Sequence, residues 1–381
     1  MTDSRPRLFH PLCGANAGTI ASLGRHAAGM TWSGRARLAV AGLAALGRLP
    51  VTLAERLGPA RFGAEASLSQ DPIFIVGHWR SGTTHLYNVM SRSEAFGYVS
   101  PIATGLPWDF LLLDRMLGPL LRATLPSDRF IDRIPVKPDS PQEDEIALAN
   151  MQRLSFYHGL YLPQRFDAEF DRGIFLDGAS ESDIDRWARR VKHFYKKLER
   201  KQPGRRLLIK NPVYTARVGL IRRVFPGAKF IHIYRDPRRV LPSMRNFYAV
   251  LFRQLGLQAA DGVDIDEIIL RAYPRMMERL FADAAGLPDG DIAHVRFEDF
   301  EKTPLDEARR IYDALALDGF ERDRPAYEEY VASVKGYKKN TYRADPEIER
   351  LVRDRWGDWL ERLGYANAAP AASERDAPVP A

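Results

Sequence analysis

Cysteine is nearly absent: the chain of 381 residues holds one, Cys13. A single thiol rules out an intrachain disulfide framework and a cysteine-built metal cluster, and it fits a reducing compartment, most simply the cytoplasm. No histidine–carboxylate grouping with metal-ligand spacing appears either, so no metal is expected. The first 30 residues lack the basic end, unbroken apolar core and small-residue cleavage site of a signal peptide. No run approaches the roughly 20 apolar residues that a spanning helix needs. The nearest, Leu38 to Leu46, is short, with Arg35, Arg37, Arg48, Arg56 and Arg61 around it. A basic, amphipathic segment of this kind either packs on the rest of the protein or touches a membrane surface peripherally. There is no internal repeat and no nucleic-acid-binding motif, so nucleic acid is not an expected partner.

What is present is ordinary in bulk. Hydrophobic residues make up 45% of the chain, enough for a sizeable core, and a net charge of +7 favours an anionic small molecule or surface. The information lies in residues 72 to 90, Pro-Ile-Phe-Ile-Val-Gly-His-Trp-Arg-Ser-Gly-Thr-Thr-His-Leu-Tyr-Asn-Val-Met. The apolar run Ile73 to Val76 reads as a buried strand, and Leu86, Val89 and Met90 set one face of a helix. Between them lies a loop bounded by Gly77 and Gly82. A strand, a glycine loop and a helix in that order build an anion cradle, because loop N–H groups and the helix N-terminus converge. The spacing matches the nucleotide-triphosphate loop except that Thr83 stands where that loop carries Lys. The missing Lys argues against an ATP- or GTP-dependent phosphotransferase. Arg80 is the nearest cation.

Two more apolar runs end in a cation. Leu207-Leu208-Ile209 is followed by Lys210-Asn211-Pro212, and Phe230 to Tyr234 by Arg235-Asp236-Pro237. Short strands alternating with helices predict an α/β fold, a mostly parallel doubly wound sheet. Ligands in such sheets sit outside the carboxyl ends of the strands. Arg80, Lys210 and Arg235 therefore belong to one rim. Asp236 is placed to cap a helix starting at Pro237, and Ser243, about two turns along it, can reach the same phosphate as Arg235.

On these residues the chain resembles the sulfotransferases that use 3′-phosphoadenosine 5′-phosphosulfate (PAPS), whose product is 3′,5′-ADP. Their phosphosulfate loop reads apolar strand, Gly, two variable residues, Arg or Lys, Ser-Gly-Thr-Thr, helix; His78-Trp79 here departs from the residue-plus-Pro found in many relatives. The resemblance implies that Arg80, Ser81, Gly82, Thr83 and Thr84 hold the phosphosulfate. It implies that Arg235 and Ser243 hold the 3′-phosphate, although Asp236 replaces the more usual Asn and Pro242 precedes Ser243. Lys210 is similar to a strand-end lysine that several members place near the transferred group, and Lys339, in a late basic run, would close on the 3′-phosphate. It spans about Asp71 to Leu315. Residues 1–66 read as an N-terminal helical extension, 67–365 as the sulfotransferase domain and 366–381 as a disordered tail.

Sulfuryl transfer is a loose displacement in which positioning and charge stabilisation carry the catalysis, so Arg80, Lys210 and the loop amides would stabilise the leaving oxygen. The acceptor hydroxyl, or amine, needs a general base. A helix is expected from Ser140, with Pro141 at its first position and Glu143 occupied in a capping box. That leaves Glu145 first and Asp144 second as bases, with His158 as rival. His78, His85 and His232 are weaker candidates. Trp79, Trp108, Phe110, Phe156 and Tyr157 are available to line an apolar pocket, which favours a hydrophobic small molecule or lipid acceptor. Two rivals remain open: a P-loop kinase, and a non-catalytic nucleotide-binding protein.

Overall fold

The computed structural model describes residues 10–26, 28–62, 67–123, 137–138, 140–335 and 345–367. Lys339 and the tail beyond residue 367 lie outside them.

Three of the five strands among the described residues coincide with the apolar runs. The five are β1 (Ile73–Val76), β2 (Phe96–Gly97), β3 (Arg206–Lys210), β4 (Lys229–Tyr234) and β5 (Ile292–Arg296). All pair in parallel in the order β2-β3-β1-β4-β5. The glycine-loop strand β1 is thus central, and the two strands that end in Lys210 and before Arg235 flank it. Register brings their ends level, with Ile75 opposite Lys210 and Val76 opposite His232.

Side chains alternate between the faces, as pleating requires. Phe74, Val76, Ile209 and Phe230 enter one buried cluster, and Ile73, Ile75, Leu208 and Ile231 enter another. A parallel sheet covered on both faces needs strands apolar throughout, and all four residues of β1 are buried. The helices Glu181–Lys201, Pro237–Leu255 and Ile265–Ala284 supply residues to the first cluster, whereas Thr83–Met90 and Pro304–Ala314 supply the second. Leu12, Ala15, Leu23, Met30 and Ala41 join the first cluster, so the N-terminal helices Ala17–Gly24 and Trp32–Leu57 share the core of the α/β part.

Three local expectations fail. No helix starts at Ser140: it runs Glu145–Met151, and Asp144 occupies the N-cap position without a side-chain capping bond. Ser140 instead accepts from the Lys137 N–H, and the Gln142 N–H is spent on the Val99 carbonyl. The stretch Gly97 to Pro107, whose Gly97, Pro101, Gly105 and Pro107 would by themselves favour a loop, contains the end of β2 and a short helix Pro101–Gly105 capped by Ser100. The apolar stretch near Leu38 belongs to a 26-residue helix, with an 18-residue window of mean hydropathy 1.4, long and apolar enough by composition to cross a membrane.

Candidate active site

The loop after β1 is shaped by backbone conformations that only certain residues tolerate. Gly77 has φ 140° and lies so near β4 that a Cβ would sit 2.1 Å from the Ile233 carbonyl oxygen. Its N–H donates to Thr215 Oγ1 at 2.8 Å. Gly82 has φ 92°, and a Cβ there would lie 2.0 Å from the Phe297 ring. Between them Arg80 is itself left-handed at φ 68°, an unusual conformation for a side chain of that size. His78 and Trp79 anchor the loop by burial. The His78 ring packs 5.0 Å from Tyr273, and the Trp79 ring 4.8 Å from Phe156. Burial also lowers the His78 pKa to about 4, so the ring is neutral near pH 7. Packing here takes the place of the proline that would stiffen the loop.

Across the rim, Asp236 caps the Pro237–Leu255 helix by accepting from the Arg238 N–H at 3.0 Å. Pro242 leaves this helix unbroken, and Ser243 lies buried within it. Arg80 Nε donates to Ser243 Oγ at 2.7 Å, joining the glycine loop to the second motif. The Arg235 guanidinium sits 4.4 Å over the Phe297 ring that Gly82 also abuts. Burial lowers the Arg235 pKa, opposed by Glu298 and Glu301 and assisted by the like charges of Arg80 and Arg239. Its Nε is buried without a hydrogen-bond partner among the described residues. Such an orphaned donor beside a glycine cradle fits an anion.

On the other flank of β1, Lys210 closes β3. It is 2% exposed, forms an ion pair with Glu143 and reaches Thr84 Oγ1 at 3.4 Å. Arg80 and Arg235 on one side and Lys210 on the other thus stand at a single cradle. The profile of the sulfotransferase family matches residues 72–322, which holds every one of these groups.

The chain belongs to the sulfotransferase family. It is 29% identical over 307 residues to the omega-hydroxy-beta-dihydromenaquinone-9 sulfotransferase Stf3 of Mycobacterium bovis, covering 81% of this chain and 78% of that protein. The Stf3 of Mycobacterium tuberculosis matches to the same extent. Among solved structures, sulfotransferase STF9 from Mycobacterium avium superposes with a TM-score of 0.66 at 16% identity, over 92% of this chain and 96% of that one. STF1 from Mycobacterium tuberculosis H37Rv gives a TM-score of 0.60 at 16% identity, over 89% and 90%. These last two show a shared fold.

In this sulfotransferase the acidic residues before the Glu145–Met151 helix are divided differently from the expectation. Asp144 is fully buried; its carboxylate accepts from Tyr195 and Tyr214 hydroxyls, both at 2.6 Å, and from Asn211 Nδ2 at 2.8 Å. Burial raises its pKa to about 7 against those three donors. Glu145 is 1% exposed and accepts from Ser155 Oγ at 2.7 Å, the Phe156 N–H at 3.2 Å and Asn211 Nδ2 at 2.9 Å. Both oxygens are engaged with the protein. His158 is equally committed, its ring nitrogens 3.1 Å and 3.0 Å from the Arg153 and Ala149 carbonyl oxygens. Among the described residues none of Glu145, Asp144 and His158 forms an ion pair with Arg80, Lys210 or Arg235, whereas Glu143, which the capping-box reading set aside, pairs with Lys210.

The sequence reading also passed over Asn211 and Phe297. Asn211 follows Lys210 directly, caps the next turn by accepting from the Val213 N–H and ties Asp144 to Glu145. A signal for it was present, since Asn before Pro is a frequent helix cap. The five aromatics expected in one pocket fall into two groups. Trp79, Phe156 and Tyr157 pack together with Phe247, whereas Trp108 and Phe110 lie against His193 and Phe194.

Proposed function

We propose that this enzyme transfers the sulfuryl group of PAPS to a hydroxyl on an apolar, lipid-like acceptor in the cytoplasm, with Glu143 as general base. The observation that carries the reading is the meeting of Lys210, Glu143 and Thr84 on one side of the glycine loop with Arg80, Ser243 and Arg235 on the other. When bound, PAPS supplies an activated sulfuryl group whose bridging oxygen gains negative charge as it departs. Gly82, the loop amides and Arg80 hold the phosphosulfate end, and Arg235 with Ser243 holds the 3′-phosphate; the unpartnered Nε of Arg235 suits that role. Lys210 lies where it can neutralise charge on the leaving oxygen. Glu143, the carboxylate paired with it and 18% exposed in its side chain, accepts the proton of the acceptor hydroxyl as its oxygen bonds to sulfur.

Two observations support an apolar acceptor. Trp79, in the loop itself, belongs to a ring cluster with Phe156 and Phe247. A relative 29% identical is named for a hydroxylated menaquinone derivative. Labelled PAPS offered with long-chain alcohols, sugars and peptides tests the reading; label only in the sugars or peptides would sink it. Thermal shift is the companion measurement, because 3′,5′-ADP should raise the melting point and ATP with magnesium should not.

A further inference from the structure

The Trp32–Leu57 helix is inside out. Its inward stripe carries Gly34, Arg37, Ala41, Ala45 and Glu55, and its outward stripe Trp32, Leu43, Leu46, Leu53 and Leu57. Exposure is 85% at Trp32, 70% at Leu43, 62% at Leu46 and 76% at Leu57, against 3% at Arg37 and 0% at Glu55. Each inward polar side chain is bonded to the protein. Arg37 donates to the Gln254 and Gly256 carbonyls, Arg48 to Asp109 and to the Cys13 and Ala15 carbonyls, and Glu55 pairs with Lys197 at 2.5 Å. Glu55 also accepts from the Leu112 N–H at 2.8 Å, which ties in the helix Phe110–Ala123. That second helix exposes Met116, Leu117 and Leu120. A water-soluble surface helix shows the opposite arrangement, and apolar patches built on two linked elements mark an interaction surface.

We propose that these two helices form a platform that docks the enzyme on an anionic lipid bilayer, with the Trp32–Leu57 helix lying in the plane of the interface. Charge selects this occupant. Arg35, Arg56, Arg115 and Arg122 are exposed on the same two helices. The one acid of the longer helix, Glu55, is buried against Lys197, and the one acid of the shorter, Asp114, is paired with Arg122 and Lys201. A second copy of this face would bring like charge against like, whereas anionic headgroups complement the arginines and the leucines enter the acyl boundary. Spanning is a different matter. It would tear Arg37, Arg48 and Glu55 from their partners and carry them into hydrocarbon, at a large cost.

Co-sedimentation with vesicles, which needs neither turnover nor an identified acceptor, tests the platform separately from the reaction. The intact protein should pellet with vesicles of phosphatidylcholine mixed with phosphatidylglycerol, far less with phosphatidylcholine alone, and should be released by salt. The triple variant L43E/L46E/L53E should lose more than about tenfold in partitioning, while its melting point and its shift with 3′,5′-ADP stay unchanged. R35E/R56E should remove the preference for phosphatidylglycerol. Absence of binding to either vesicle, or full binding by the triple variant, overturns the proposal. So does a lipid-free dimer, seen by analytical ultracentrifugation, that the triple variant splits.

Discussion

Gly82 and Phe297 show how little latitude single residues have at the cradle. Gly82→Ala must place a methyl group 2.0 Å from a ring carbon at a φ of 92°, so the loop has to move. The expected outcome is a lowered melting point and loss of the thermal shift with 3′,5′-ADP. The two arginines should separate in their effects. Arg80→Ala is expected to retain much of the 3′,5′-ADP shift while losing turnover, and Arg235→Ala to lose the shift itself; equal losses of binding would contradict these roles. Glu143→Gln keeps the shape of the side chain and removes the base. Its kcat should fall by about 10²- to 10⁴-fold, with 3′,5′-ADP affinity kept, whereas Glu145→Gln, inside the buried network, should act chiefly on stability. A loss of kcat in Glu145→Gln at an unchanged melting point, with Glu143→Gln still active, would exchange the two assignments.

At the level of elements, the turn preceding the Glu145–Met151 helix carries a pH signature. Asp144 has a folded pKa of about 7 against an ordinary value of 3.8, through burial. A carboxyl raised in the folded state binds more protons folded than unfolded, so its stabilising contribution is full below about pH 4 and is lost as pH rises to 7. His78 has the opposite slope, since its folded pKa of about 4 makes its contribution fade as pH falls below its ordinary 6.5. Comparing the intact enzyme with Asp144→Asn cancels such shared terms. Between pH 5 and pH 7, melting experiments should show the difference in stability shrinking, by up to about 1.4 kcal/mol per pH unit. A difference independent of pH would mean that Asp144 stays ionised throughout. The same turn shows where sequence reasoning stopped. Strands ending in Lys210 and before Arg235 are legible because a run apolar on both faces has few other readings. The Ser140-Pro141-x-Glu143 pattern satisfies a local rule for a helix start, but an ion pair to Lys210, distant in the chain, competes for Glu143 and wins. Local spacing carries no record of that partner.

Over the whole molecule, the order β3-β1-β4 brings three separate sequence signals to neighbouring strand ends, all within the segment that the family matches. The N-terminal helices gave the least away in sequence. Counting the apolar run only from Leu38 to Leu46 hid the length of the helix, and which face it turns inward depends on partners such as Asp109 and Lys197 contributed by later segments. Far from the cradle in sequence, Tyr365 donates its hydroxyl to Glu298 at 2.6 Å, stacks under Arg296 at 4.4 Å, and Glu298 in turn accepts from the Asp236 N–H. Tyr365→Ala should therefore weaken retention of 3′,5′-ADP measurably by calorimetry without touching the nucleotide. Through Glu298, Tyr365 fastens the turn that opens the Pro237–Leu255 helix, so a protease nick near residue 365 should be felt in mid-chain, as a looser grip on the spent nucleotide.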